Sequence, residues 1–166
     1  IVKSGSGFLT ITRSPRSAPM ESALAGALRV RCLTGAKAAL GDVPASIVSC
    51  AGATVMAALD TACPSMDSLK EKRELVVGLG MLGLLAVEAA LRAGAAVTAT
   101  DPNSHRRRYA AQLGACISGF SDFDPALDIV ENFDVALEFS GSPQGVITCL
   151  KPLDINGVAV LAGSVA

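Results

Sequence analysis

The length, composition and charge of this 166-residue chain exclude several broad classes of protein. The length allows one ordinary domain with a real core and is too short for two. Apolar residues make up 51% and aromatic residues 4%, so Ala, Val, Leu and Ile must build the core, which favours α/β layers over a β-sandwich. A net charge of −1 provides no general attraction for nucleic acid or an anionic membrane.

The cysteines and the apolar segments indicate the cellular compartment in which the protein is expected. Five cysteines are scattered along the chain without a CxxC pair, which favours reduced thiols over a disulfide framework or zinc knuckle. The sequence shows no run long enough to span a bilayer and no secretion signal. We therefore expect a cytoplasmic protein without membrane or nucleic-acid partners.

The first 45 residues differ from the rest. They are rich in Ser, Gly and Pro and lack sustained periodicity, so we expect an irregular N-terminal extension, either disordered or with one short strand at 8–12. A helix is predicted at 46–62, where small residues permit close packing. We take 46–166 as one domain that begins with this helix.

From residue 72 onward strands and helices alternate. The strand "RELVVGLG" is followed by a helix that ends at Gly94, and "AAVTATD" by a helix that Ser104 caps and Gly114 ends. Further along, the predicted elements are a short strand near "ACIS", a helix opening at Asp124, the strand "NFDVALEFSG", a helix at 143–150, a turn at 156–157 and the strand "VAVLAG". This order predicts a Rossmann-like, doubly wound parallel sheet with strand order 3-2-1-4-5.

Three glycines stand where the first strand of this domain meets its helix. Gly78, Gly80 and Gly83 fit the pattern G-x-G-x-x-G. In a dinucleotide site the first permits the tight turn, the second lets a pyrophosphate approach the backbone, and the third lets helix and strand pack closely. The alternative is that the glycines serve packing alone. Their place in a strand–turn–helix unit favours the cofactor site.

Asp101 ends the next strand, 21 residues beyond Gly80. A carboxylate there can accept both hydroxyls of an adenine ribose and repels a 2′-phosphate, although it could equally be a turn residue before Pro102. The "HRRRY" segment that follows leaves a second choice open. Arg106 could stack on adenine, or an arginine could meet a 2′-phosphate and favour NADP. Because Asp101 is a fixed negative charge, we favour NAD over NADP.

The segments "LVVGLGMLGLLAVEAALRAGAAVTATDPNSHRRRYAAQLGA" and "FDVALEFSGSPQGVITCLKPLDINGVAVLAGSVA" resemble the cofactor domain of medium-chain, zinc-type alcohol dehydrogenases. The resemblance extends back through "VPASIVSCAGATVMAALDTA". It implies hydride transfer between an alcohol and a nicotinamide cofactor in the intact family. The residues that it matches to cofactor contacts are Thr54, Gly78, Gly80, Leu82, Gly83, Asp101, Arg106, Ser140, Gly141, Ala162, Gly163 and Ser164.

The same resemblance makes the zinc chemistry incomplete. Cys50 matches one catalytic zinc ligand of the family, but as a lone cysteine it is better interpreted as a small buried apolar residue. The family takes its other ligands from an N-terminal catalytic domain that this sequence lacks, and His105 lies beside the expected adenosine site. We therefore expect no zinc in this chain alone, and an activity that requires a second chain with a catalytic domain. The alternatives are a stand-alone dinucleotide-binding protein and a non-catalytic structural module.

The last predicted strand also raises a question of assembly. "VAVLAG" would expose an apolar sheet edge that must pair with another copy, be covered by the N-terminal segment, or aggregate. We expect a homodimer. The substrate is not determined by these residues.

Overall fold

The computed structural model describes residues 2–5, 8–12, 42–63, 65–118 and 132–163. The strands in these ranges are β1 (Val2–Gly5), β2 (Phe8–Thr12), β3 (Arg73–Val77), β4 (Ala96–Thr100), β5 (Cys116–Ile117), β6 (Phe133–Glu138) and β7 (Leu153–Leu161). The helices are α1 (Asp42–Ala62), α2 (Met81–Arg92), α3 (Ser104–Leu113) and α4 (Pro143–Leu150), with a short 3-10 helix at Met66–Leu69.

All seven strands join one sheet in the order β1-β2-β7-β6-β3-β4-β5. The five strands from β3 onward are parallel, with β3 between β4 and β6. Renumbered along the chain from β3, their order is 3-2-1-4-5, which confirms the predicted doubly wound fold. The helix predicted to open at Asp124 lies outside the described residues.

The N-terminal extension contributes an antiparallel hairpin to this sheet. Strand β2 coincides with the predicted strand at 8–12 and pairs with β7, its residues facing 158–161. Strand β1 then pairs with β2. The edge of β7 is thus covered by the N-terminal segment, one of the three outcomes predicted for it. The expected homodimer stays a prediction, and β1 becomes the outer strand on that side.

Two local predictions were wrong. Ser104 does not cap α3: the cap is Asn103, whose Oδ1 accepts hydrogen bonds from the amides of His105 at 2.9 Å and Arg106 at 3.3 Å. The reason is that helical backbone already begins at Ser104, so the capping position lies one residue earlier. Asn156 and Gly157 do not precede the last strand but lie within β7, where Asn156 has φ +69° and the register with β6 shifts. A left-handed residue there makes an irregularity in the strand and does not end it.

Apolar residues cover both faces of the sheet, as a doubly wound fold requires. Val76 faces the layer that contains α1, α2 and α3, while Leu75 and Val77 face the layer that contains α4. This alternation explains why β3 is apolar on both sides. In the described part of the chain, no helix is both long enough and apolar enough to cross a membrane.

One buried side chain contradicts the apolar character of β3. Glu74 is fully buried, and neither of its carboxyl oxygens has a hydrogen-bond partner among the described residues. Burial raises the pKa of this carboxyl from 4.5 to about 8. The pKa of the Cys63 thiol at the end of α1 is raised by burial and, to a smaller extent, by the negative charge of Glu74. Glu74 therefore lowers stability more as the pH rises.

Candidate functional site

The site predicted from the glycines lies where β3 and β6 end side by side, the point at which the sheet reverses its winding direction. Gly78 has φ +90°, a conformation that favours glycine, and its amide donates to the carbonyl of Thr100 at 2.9 Å. A Cβ at Gly78 would lie 2.5 Å from the amide nitrogen of Ser140. The glycine turn is therefore packed directly against the segment that follows β6. In open α/β sheets, ligands bind in this crevice.

The other two glycines of the motif have different surroundings. A Cβ at Gly83 would overlap the carbonyl oxygen of Gly78, so Gly83 is required for the close approach of α2 to the turn. A Cβ at Gly80 would meet nothing within 4 Å, and its φ of −69° suits any residue. Neither packing nor backbone conformation explains a glycine at position 80. The space beside it is open to a ligand.

Helix α2 begins at this open space without a capping side chain. Its N-cap residue is Gly80, which makes no side-chain hydrogen bond. By contrast, Asn103 caps α3 and Ser142 caps α4 through a 2.9 Å bond from the amide of Gly145. The first amides of α2 remain for another acceptor, and the positive end of the helix dipole favours an anion. Leu82 is partly buried against the core behind this turn.

Asp101 lies beside the glycine turn with its carboxylate almost fully buried, at 3% exposure. Its Oδ2 accepts a hydrogen bond from the amide of Leu79 at 2.7 Å, and its Oδ1 accepts one from the amide of Asn103 at 2.7 Å. Arg106 Nη1 lies 3.5 Å from Oδ2. The carboxylate thus joins the end of β4 to the turn after β3. Oδ1, which accepts this one hydrogen bond, keeps a lone pair that a ribose hydroxyl could use, whereas Oδ2 also faces Arg106.

The arginines of the "HRRRY" segment have separate roles in the structure. Arg106 is 53% exposed and pairs with Asp101. Arg107 Nη1 donates to the carbonyls of Asp101 at 2.6 Å and Pro102 at 3.0 Å, which stabilises the turn before α3. His105 and Arg108 are exposed on α3. Arg106 therefore pairs with the carboxylate at which the ribose is expected to bind.

The segment after β6 is arranged around a buried glutamate that sequence analysis did not select. Glu138 Oε1 accepts hydrogen bonds from the amides of Ser140 at 2.6 Å and Gly141 at 3.0 Å, and it also contacts Ser140 Oγ. Its backbone carbonyl accepts the amides of Ala162 and Gly163, each at 2.9 Å. Four residues matched to the cofactor therefore meet at Glu138. The sequence signal was a charged residue at the end of a mostly apolar strand.

The remaining candidate residues lie on α1 and at the end of the described chain. Thr54 is half-buried, and its Oγ1 donates to the carbonyl of Cys50 one helical turn earlier at 3.0 Å. Cys50 is exposed. Ser164 lies outside the described residues. Within the described ranges, no group of three or more His, Cys, Asp or Glu side chains could hold a metal ion.

The family can be decided by comparison with known sequences. The profile of the zinc-binding dehydrogenases matches residues 82–166, about half of the chain, and this region runs from α2 through the crevice to the last residue. The chain belongs to the zinc-binding dehydrogenase family. L-threonine 3-dehydrogenases of Legionella pneumophila and Burkholderia cenocepacia are each 33% identical over 96 residues. Each match covers 54% of this chain and 28% of the relative, so the chain spans under a third of their length.

Solved structures agree with the zinc-binding dehydrogenase assignment. A Thermotoga maritima alcohol dehydrogenase matches with a TM-score of 0.57 and 26% identity, covering 66% of this chain and 32% of that enzyme. The L-idonate 5-dehydrogenase of Escherichia coli matches with a TM-score of 0.54 and 28% identity, covering 63% and 30% respectively. The described fold therefore resembles part of these dehydrogenases.

Proposed function

We propose that this chain is the NAD-binding part of an alcohol dehydrogenase-like oxidoreductase. The proposal is supported by the crevice at the ends of β3 and β6, by the uncapped start of α2 and by membership of the zinc-binding dehydrogenase family. The pyrophosphate would bind at the first amides of α2. The adenine ribose would bind at Asp101, and the nicotinamide half would lie beside Ser140, Gly141 and Gly163.

Gly80 is the single observation that carries this proposal. Gly78 and Gly83 have structural reasons to be glycine, but Gly80 has none within the described protein. Serine would be expected to stabilise this helix start, because its hydroxyl can accept the amides of the first turn. A glycine without a cap leaves those amides free and leaves room for phosphate oxygens.

Substitution Gly80→Ser tests the proposal by separating stability from binding. The serine should raise the free energy of unfolding by a few tenths of a kcal/mol, because it supplies the missing cap. It should weaken NADH binding by about tenfold or more, because its hydroxyl would lie where the phosphate binds and would accept the backbone amides that the phosphate needs. The measurements are thermal unfolding and calorimetric titration with NADH. Wild-type protein that does not bind NADH, or a Gly80→Ser variant that binds it equally well, would refute the proposal.

The choice of NAD over NADP depends on the buried carboxylate of Asp101. A 2′-phosphate would have to approach this negative charge, and the nearby guanidinium of Arg106 already pairs with it. We therefore expect NADH to bind more tightly than NADPH. Parallel titrations with both nucleotides measure this difference, and equal or reversed affinities would contradict the assignment.

Turnover is proposed only for an assembly that includes a catalytic domain. A zinc ion supplied there would polarise the alcohol oxygen while the nicotinamide accepts or donates the hydride. The described residues of this chain contribute the cofactor crevice. The chain alone should therefore show no alcohol-dependent reduction of NAD and no stoichiometric zinc; metal analysis and a turnover assay would reveal the opposite.

A second candidate is a stand-alone dinucleotide-binding protein without turnover. It is supported by the β1–β2 hairpin, which covers the β7 edge with residues of this chain. Adding a catalytic domain of a related dehydrogenase in trans separates the two: restored turnover favours the oxidoreductase, and persistent NADH binding without turnover favours the binding protein.

A further inference from the structure

Glu138 is buried at the centre of the crevice wall, at the end of β6. Its side chain is fully buried, and its Oε2 has no hydrogen-bond partner among the described residues. A buried carboxyl oxygen without a partner lowers stability. Of the two buried glutamates with an unpartnered oxygen among the described residues, Glu74 and Glu138, Glu138 is the one at the crevice end of the sheet.

The surrounding chain is shaped to leave room for this carboxyl group. A Cβ at Gly145 would lie 2.9 Å from Glu138 Oε1, and a Cβ at Gly163 would lie 2.5 Å from Glu138 Oε2. Two glycines from different elements, α4 and the segment after β7, therefore each lie close to one oxygen of the carboxyl. The neighbouring Cys149 thiol stays uncharged. Its burial, and to a smaller extent the negative charge of Glu138, raise its pKa to about 12.

The carboxyl directs its hydrogen bonds to the residues that face the crevice. Oε1 holds the amides of Ser140 and Gly141, and the backbone of Ser140 lies against Gly78 in the glycine turn. The backbone carbonyl of Glu138 holds Ala162 and Gly163. One residue thus fixes the ends of β6 and β7 relative to the end of β3.

We propose that Glu138 is a positioning residue of the nicotinamide side of the crevice, which it forms by holding the Ser140–Gly141 turn against Gly78 and Gly163. The proposal rests on the function proposed above. Asp101, at the end of β4, lies on the other side of β3, so the adenosine side of the crevice does not depend on Glu138. Loss of the carboxylate should therefore affect the two halves of the cofactor differently.

The test compares Glu138→Gln with the matched control Glu74→Gln in the full chain. Both glutamates are fully buried in neighbouring strands, but Glu74 lies at the opposite end of the sheet and faces the other helix layer. Glu138→Gln should weaken NADH binding by about tenfold, because both backbone amides donate to Oε1 and a neutral amide oxygen holds them less strongly than a charged carboxylate oxygen. AMP binding, measured by NMR titration, should stay unchanged in both variants, and Glu74→Gln should bind NADH like the wild type.

Each result has a defined meaning. If the wild type binds NADH and Glu138→Gln binds it equally well, or if AMP binding falls in parallel, the positioning role is refuted while the cofactor site stands. If the wild type does not bind NADH, both proposals fail. If Glu138→Gln does not fold, the amide resonances of Ser140 and Gly141 in the wild type test the proposal instead. Slow hydrogen exchange and a chemical-shift change on adding NADH support the positioning role. Fast exchange, or no chemical-shift change, overturns it.

Discussion

The carboxylate of Asp101 accepts a 2.7 Å hydrogen bond from the amide of Leu79, a residue inside the glycine turn. This bond joins the end of β4 to the turn after β3. The acid expected to bind ribose therefore also holds the glycine turn in place. Leu79 is itself fully buried, and its amide cannot bind water instead. The two predicted parts of the site are thus one structural unit without any cofactor bound.

Asp101→Asn should therefore destabilise the protein in the absence of nucleotide. The amide group of asparagine can accept only one of the two backbone amides, which leaves the other facing a donor and costs about 1–3 kcal/mol. Chemical denaturation without ligand measures the loss. Asp67→Asn, at an exposed residue of the 3-10 helix, is the control and should change little. If the Asp101→Asn variant were as stable as the wild type without ligand, the bond to Leu79 would be unimportant.

Gly83→Ala should destabilise the fold severely, unlike Gly80→Ser. The methyl group would overlap the carbonyl oxygen of Gly78, so α2 would have to move away from the turn. Overpacking of this kind costs about 1–3 kcal/mol or more. Thermal unfolding of the two variants side by side is the measurement. If both glycine variants lost equal stability, Gly80 would have a packing role that the structure does not contain.

Asn103→Ala should lower the free energy of unfolding by about 1 kcal/mol, because the amides of His105 and Arg106 lose their cap. Ser104→Ala is the matched control and should be nearly neutral, since Ser104 is the first helical residue and not the cap. Urea denaturation of both variants measures the difference. The reverse order of effects would restore the sequence-based prediction that Ser104 caps this helix.

Glu74 should make stability depend on pH. Its folded-state pKa, about 8, lies above its ordinary value of 4.5, so the folded state holds the proton more tightly than the unfolded state. The contribution of Glu74 to stability is then most favourable below pH 4.5 and falls by about 1 kcal/mol per pH unit as the pH rises toward 8. Glu74→Leu should remove this slope and raise stability at pH 8.

Denaturation at several pH values measures the slope for wild type and variant. Glu88→Gln provides the control, because Glu88 is 43% exposed and pairs with Arg92 on the surface of α2. An identical slope in the wild type and the Glu74→Leu variant would mean that another group controls the pH dependence.

Removal of residues 1–12 should expose the edge of β7 and cause self-association. Val158, Ala159, Val160 and Leu161 would lose their β2 partners while keeping their place in the sheet. An apolar strand with unpaired backbone groups is a template for pairing with a second copy. Sedimentation velocity over a range of concentrations compares the shortened and full chains. A shortened chain that stays monomeric and equally stable would show that the hairpin does not protect this edge.

The sequence by itself determined the order of the parallel strands and the position of the glycine turn between β3 and α2. The alternation of apolar runs and helical patterns is a local property, and right-handed crossovers then leave one sheet order. Gly78 and Gly83 stand where a strand meets a helix, and the structure has the tight turn and the close helix packing at these two residues. The strand at 8–12 could also be recognised from its residues, but not its partner.

Tertiary structure alone decided which groups meet at that site. Asp101 and Leu79, or Glu138 and Gly163, are far apart in the chain. No local sequence pattern predicts which distant backbone amide an acceptor oxygen will bind. The same holds for β2, whose antiparallel pairing with β7 depends on an edge that exists only once the sheet has formed. Periodicity reports which face of an element is apolar, whereas hydrogen bonds between distant residues depend on distances that only the folded chain sets.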